Sequence, residues 1–301
     1  MKNAFLKAAL ALATTCGLLG SAHAAPASAA HASDHPISIV AAENFYADVA
    51  KEIGGAHVST SSILSNPDED PHLFEASPSV ARRLSAARLV VYNGAGYDAW
   101  MSKLLSASQR AGRQEIVAAQ LVGKHDGDNP HLWYLPATMP AVAAAIRDAL
   151  SQIDPANRDD YARRYTAFVA SLTPLQTKIA QLNHAYRSTP VTATEPVFGY
   201  MADAIGLTMR NARFQQSIMN DTEPVASDIA AFENDLRTRQ VQALLFNKQT
   251  NGPLTTRLLK LAQSAGVPAV AVTETQPPGL SYVQWMMSQL DALERALGRA
   301  K

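Results

Sequence analysis

The chain is poor in cysteine, in charge and in long apolar runs. Its single cysteine among 301 residues is Cys16. Beyond that position, thiolate metal sites, disulfide frameworks and cysteine nucleophiles are excluded. Lys+Arg 26 balances Asp+Glu 26, and no basic face can be read from the sequence, which argues against a nucleic-acid binder. Charged residues make up only 17%, against 47% hydrophobic, the balance of a globular chain rather than a disordered one. The motifs G-x-x-x-x-G-K-[ST], G-x-G-x-x-G, G-x-S-x-G and H-E-x-x-H do not occur. Their absence weighs against nucleotide-binding, serine-hydrolase and zincin chemistry.

What is present begins with an export signal. Lys2 and Lys7 give a short basic region, Ala8–Leu19 an apolar one, and Ala22-His23-Ala24 a small-x-small cleavage pattern. The apolar stretch is too short for a stable bilayer-spanning helix. Thr15 before Cys16, with apolar residues continuing after it, argues against lipidation. The expectation is a signal peptide over 1–24, a flexible Ala/Ser/Pro-rich leader over 25–35, and a mature chain delivered to the periplasm.

The mature chain alternates strand and helix signals in two blocks. Runs such as PISIVA from Pro36, RLVVY from Arg88, VQALLF from Val241 and VPAVAV from Val267 read as strands. Amphipathic stretches ending at Gly54-Gly55, Gly206 and Gly266 read as helices. Such alternation predicts an α/β fold with parallel sheets. Between the blocks, Tyr161, Tyr165, Phe168, Leu172, Leu175, Ile179 and Leu182 recur at helical spacing without a glycine. They predict one long linking helix over 154–188, kinked by Pro174 because proline lacks the N–H of its turn. The expected organisation is an N-terminal lobe over 36–153, the linking helix, and a C-terminal lobe over 189–301.

Chemistry-bearing residues collect at strand-end loops. His72 and His131 share one frame, Pro-His-Leu-aromatic, as PHLF and PHLW. The proline restricts the backbone and the aromatic can anchor the loop, as a metal ligand requires. In the second block, Glu195 and Glu274 each follow a predicted strand. Without cysteine, a metal shell must come from imidazoles and carboxylates, and these four form a two-His, two-carboxylate set.

Several longer motifs make the chain resemble the metal-binding solute-binding proteins of ABC importers for zinc and manganese, over essentially the whole mature chain. They are Asp70-Pro-His72-x-Phe-Glu75-x-Ser77-Pro78, Val91-Tyr-Asn-Gly94 with Trp100, Asn129-Pro-His131-x-Trp133, Phe198-Gly-Tyr200 after Glu195, and Thr273-Glu-Thr275 followed by Tyr282 and Met286-Met287. The resemblance implies two α/β lobes joined by one long rigid helix, with one ion bound in the cleft between them. It implies His72, His131, Glu195 and Glu274 as ligands, a Zn²⁺ or Mn²⁺ cargo, an inner-membrane ABC permease as partner, and a monomer that captures rather than catalyses. The chain departs from the family pattern in places. Zinc-specific members commonly carry a histidine at the position of Glu195, and a long His-rich loop where this chain has only Gly123–Asn129. The fourth ligand is usually Asp, and many members have Glu at the position of Asn247. Asp221 is a second carboxylate candidate for the C-terminal lobe, and His125 an auxiliary imidazole. Two rivals share the site: an exported metal-dependent hydrolase, which needs an open coordination position, and an adhesin or metal buffer without a transport role.

Overall fold

The computed structural model describes residues 35–67, 74, 77–250 and 252–299. The expected signal peptide, most of the leader and His72 lie outside the described residues. The β-branched run after Pro36 forms β1 (Ile37–Glu43), which passes directly into α1 (Asn44–Gly54). Then come β2 (Val58–Leu64), α2 (Pro78–Ala86), β3 (Leu89–Tyr92), α3 (Trp100–Ala107), β4 (Gln114–Val117), α4 (Ala118–Leu121) and α5 (Thr138–Ile153). The four strands make a parallel sheet in the order β2-β1-β3-β4. Helices on both faces explain why Ile39, Val40, Ala41 and Ala42 are all buried without alternation.

The linker is helical from Arg158 to Tyr186, but in two segments, α6 (Arg158–Ser171) and α7 (Thr173–Tyr186), interrupted at Leu172. The kink expected at Pro174 is thus a break between two helices. Pro174 occupies the first turn of α7, where its missing N–H breaks no helical bond. The two segments serve different lobes. α6 packs on α1 and α5, whereas α7 packs on the helices of the second lobe.

That lobe repeats the pattern. It contains β5 (Pro190–Ala193), α8 (Gly199–Ile205), β6 (Thr208–Arg210), α9 (Ala212–Met219), α10 (Ala226–Arg237), β7 (Leu244–Asn247), α11 (Pro253–Ala265), β8 (Ala269–Val272) and α12 (Tyr282–Arg299). Its parallel sheet runs β6-β5-β7-β8, the same order as in the first lobe. Lys178 of α7 ties α12 down through Asp291 and Glu294, each at 2.7 Å.

In both sheets the strand order reverses beside the first strand, at β1/β3 and at β5/β7. Ligands of open α/β sheets bind at the carboxyl ends of strands near such a reversal. Beneath these strand ends one apolar core runs through both lobes. Phe45 meets Trp133 at 4.8 Å and Trp285 at 5.8 Å between ring centroids, and Tyr134 meets Phe198 at 5.2 Å. The lobes are therefore joined by packed aromatics as well as by the linker.

Candidate metal centre

His131 enters the seam between the lobes from the loop after α4. Trp133, two residues on, is wholly buried and stands edge-on to the imidazole at 5.3 Å. The anchor expected of the Pro-His-Leu-aromatic frame is thus in place here. In the first copy of the frame, Phe74 packs on Trp100 at 4.4 Å.

The hydrogen bonds around His131 orient its ring. The side-chain oxygen Oδ1 of Asn129 accepts from the His131 backbone N–H at 3.1 Å and from ring Nδ1 at 2.6 Å. Its amide nitrogen donates across the seam to the Pro196 carbonyl at 2.7 Å. With Asn129 Oδ1 an acceptor, Nδ1 of the ring carries a proton, and Nε2 is the ring atom turned to the second lobe. Asn129 reaches Pro196 because residue 199 is glycine, since a Cβ there would stand 2.9 Å from the Asn129 amide nitrogen. Tyr200 adds a hydroxyl donated to the Asn129 carbonyl at 2.8 Å, and Asn93 donates to the Pro130 carbonyl at 2.8 Å.

The Nε2 atom of His131 is buried and has no hydrogen-bond partner among the described residues. It faces Oε2 of Glu274 at 3.6 Å, with both side chains at 0% exposure. In a dry site this pair needs either a proton on one of the two groups or a cation between them. Two ligands each about 2.1 Å from a tetrahedral ion sit about 3.4 Å apart, close to the separation observed.

Glu274 follows β8, where the side-chain oxygen of Gln249 accepts its backbone N–H at 2.6 Å. Glu195 follows β5 and is 5% exposed. Asn247, at the end of β7, joins the two carboxylates. Its amide nitrogen donates to Glu195 Oε2 at 3.1 Å and to Glu274 Oε1 at 2.6 Å. Tyr97 lies on the first-lobe side, its ring 6.2 Å from that of His131. Burial, then the charges of Glu274 and Glu43, hold its hydroxyl well above its usual value, so it stays protonated.

Residues 39–296 match the profile of the family described as zinc-uptake complex component A, periplasmic. The chain belongs to this family. It is 25% identical to the manganese ABC transporter substrate-binding lipoprotein PsaA of Streptococcus mitis, over 89% of this chain and 91% of that protein. Its fold is similar to that of the periplasmic zinc-binding protein TroA from Treponema pallidum, with a TM-score of 0.74 at 19% identity, over 87% of this chain and 99% of that one. A manganese-bound mutant of a periplasmic metal-binding protein from Candidatus Liberibacter asiaticus gives a TM-score of 0.70 at 16% identity, over 87% of this chain and 99% of that one. The two-lobed α/β architecture expected from the sequence is that of these neighbours.

The second-lobe carboxylate that meets His131 is Glu274. Asp221 is exposed in the turn after α9, and His125 is exposed in the loop before Asn129. Among the described residues alone, no group of three or more His, Asp or Glu has the arrangement of a metal shell.

Sequence reasoning missed a buried carboxyl pair. Glu43 ends β1 and Asp98 follows the turn after β3, and both are 2% exposed. Asp98 accepts the backbone N–H groups of Asn93 at 2.6 Å and Gly94 at 2.8 Å. Burial raises Asp98 to about 6. Burial and the Asp98 charge raise Glu43 well above its ordinary value, so the pair holds a proton at Glu43. The criterion that singled out Glu195 and Glu274, a carboxylate at the end of a parallel strand, also points to Glu43 once β1 is extended by two residues.

Proposed function

We propose that this chain binds a divalent transition-metal ion between its lobes outside the cytoplasm and delivers it to an ABC-type import permease. Metal-importer substrate binding is the role named for its relatives, and the family assignment carries it to this chain. The facing of His131 Nε2 and Glu274 Oε2 in a dry seam supports it most directly. The ligands we assign are His72, His131, Glu195 and Glu274. Zinc is the first cargo and manganese the second, because borderline ions suit imidazole with carboxylate and raw affinity favours zinc over manganese.

The signal segment at 1–24 would be removed on export, leaving a periplasmic chain. Four protein ligands leave no open position for a substrate water, so the site captures and does not hydrolyse. Release requires the lobes to part at the seam, where Tyr134 donates to the Thr273 carbonyl at 2.8 Å and Tyr282 to the Trp133 carbonyl at 2.7 Å. Such bonds, with the shared aromatic core, favour a small shift over a wide hinge.

Zinc titration of chelator-stripped protein tests the reading. One ion should bind per chain, and His131→Ala should lower the affinity at least about tenfold, equivalent to about 1.4 kcal/mol. Unchanged binding by the variant would remove His131 from the shell.

A further inference from the structure

Asn247 ends β7 and is 1% exposed. The orientation of its amide is fixed, because its oxygen accepts the Gln249 backbone N–H at 3.0 Å. The amide nitrogen is therefore turned to Glu195 Oε2 at 3.1 Å and Glu274 Oε1 at 2.6 Å, with Thr250 Oγ1 at 3.0 Å. The backbone N–H of Asn247 is itself held by Thr194 Oγ1 at 3.3 Å. Gln249, two residues on, receives the backbone N–H groups of both Glu274 at 2.6 Å and Thr275 at 3.2 Å. The end of β7 thus suspends the Glu274 loop and grips both carboxylates. The Glu274 oxygen facing His131 is Oε2, the one that Asn247 does not engage.

We propose that Asn247 sets the metal preference of this site by engaging one oxygen of Glu195 and one of Glu274, so that each carboxylate offers only its other oxygen to the ion. The inference rests on the metal-capture reading and adds a selectivity residue to it. An amide N–H₂ is a donor with partial positive charge. An ion bound through Glu274 Oε1 or Glu195 Oε2 would have to approach that donor, and the repulsion is strong where water is excluded. Carboxylates that each give a single oxygen keep the coordination number low, as the tetrahedral geometry of zinc requires. Manganese favours octahedral, oxygen-rich coordination. To reach it here, the ion would have to take both oxygens of each carboxylate and strip the Asn247 amide of its partners in a dry site.

The test combines zinc–manganese competition titration with the visible absorption of the Co²⁺-loaded protein, for the wild type, Asn247→Ala and the isosteric Asn247→Asp. Circular dichroism identifies a variant that has lost its fold, and Asn247→Asp keeps the shape of the side chain where Asn247→Ala loosens it. In both variants the zinc-over-manganese preference should fall by at least about tenfold. The Co²⁺ bands should weaken from the intense pattern of a four-coordinate ion to that of a higher-coordinate one. Folded variants that keep the wild-type preference and the wild-type Co²⁺ spectrum would overturn the assignment of Asn247 and leave metal capture standing. A wild type that takes up none of the three ions would overturn metal capture itself, and this role with it.

Discussion

Nε2 of His131 and Oε2 of Glu274 face each other at 3.6 Å, from different lobes, with both side chains wholly buried. The Asn129 bond to Nδ1 turns Nε2 toward the carboxylate, and the Asn247 bond to Oε1 sets which carboxylate oxygen meets it. Each partner is aimed by a neutral amide, which leaves the charge between them to a proton or to a bound cation. This arrangement yields expectations away from the pair as well as at it.

Asn129→Ala should weaken metal binding without touching a ligand. It removes the acceptor that fixes the His131 tautomer and one bond across the seam. Loss of a partner that orients a metal-binding imidazole typically costs about 10–100-fold in affinity. Zinc competition against a chromophoric chelator measures it. An affinity equal to the wild type would mean that the ring is held by its packing on Trp133 alone.

The metal-free protein should show a pH dependence that originates in Glu43 and Asp98. Burial raises the folded-state value of Glu43 above 4.5 and that of Asp98 from 3.8 to about 6. A raised carboxyl value means the folded state keeps a proton that the unfolded chain releases. The stabilisation is complete below the ordinary values and is lost as the pH rises through the folded ones. Glu43→Gln removes the ionisation, so its melting temperature should gain on the wild type as the pH rises from about 4.5 to about 8. Thermal denaturation of both chelated proteins across that interval checks the sign. A constant difference would place the proton elsewhere.

Trp285→Ala should destabilise the whole molecule rather than one lobe. Trp285 is 1% exposed, stacks near Phe45 of the first lobe, and donates its indole N–H to Thr273 Oγ1 at 2.9 Å. A fully buried Trp truncated to Ala costs about 3–5 kcal/mol. Urea unfolding of the metal-free protein should show the midpoint falling in a single transition. Two separated transitions would show that the lobes fold independently of the shared core.

Much of this fold could be read from the sequence because its strong signals are local. β1, β3, β7 and β8 are β-branched or aliphatic runs, and α1, α11 and α12 carry full amphipathic periods. The readings that failed fall on weak local signals. β4, with the sequence QEIV, and β6, with TMR, are edge strands of mixed polarity, and neither was read from the sequence. α5 and α9 also went unread. The break at Leu172 was legible through Pro174, which marked a kink within one helix rather than the start of a second. At the site, the Pro-His-Leu-aromatic frame marked His131 and its Trp133 anchor, since both lie within three residues of one another. The roles of Asn129, Asn247 and the Glu43–Asp98 pair depend on contacts between distant segments, such as the 52 residues separating Asn247 from Glu195. No periodicity records such a contact.

Metal capture at the seam is tested most directly by the stoichiometry of the purified chain. Chelator-stripped wild type and the His131→Ala, Glu274→Ala double variant would be dialysed against the same buffered zinc and analysed for metal per mole of protein. The expected result is one zinc ion per wild-type chain and a clear loss in the double variant, with both proteins folded. Equal zinc in the two proteins, or none in the wild type, would contradict a metal centre built on His131 and Glu274.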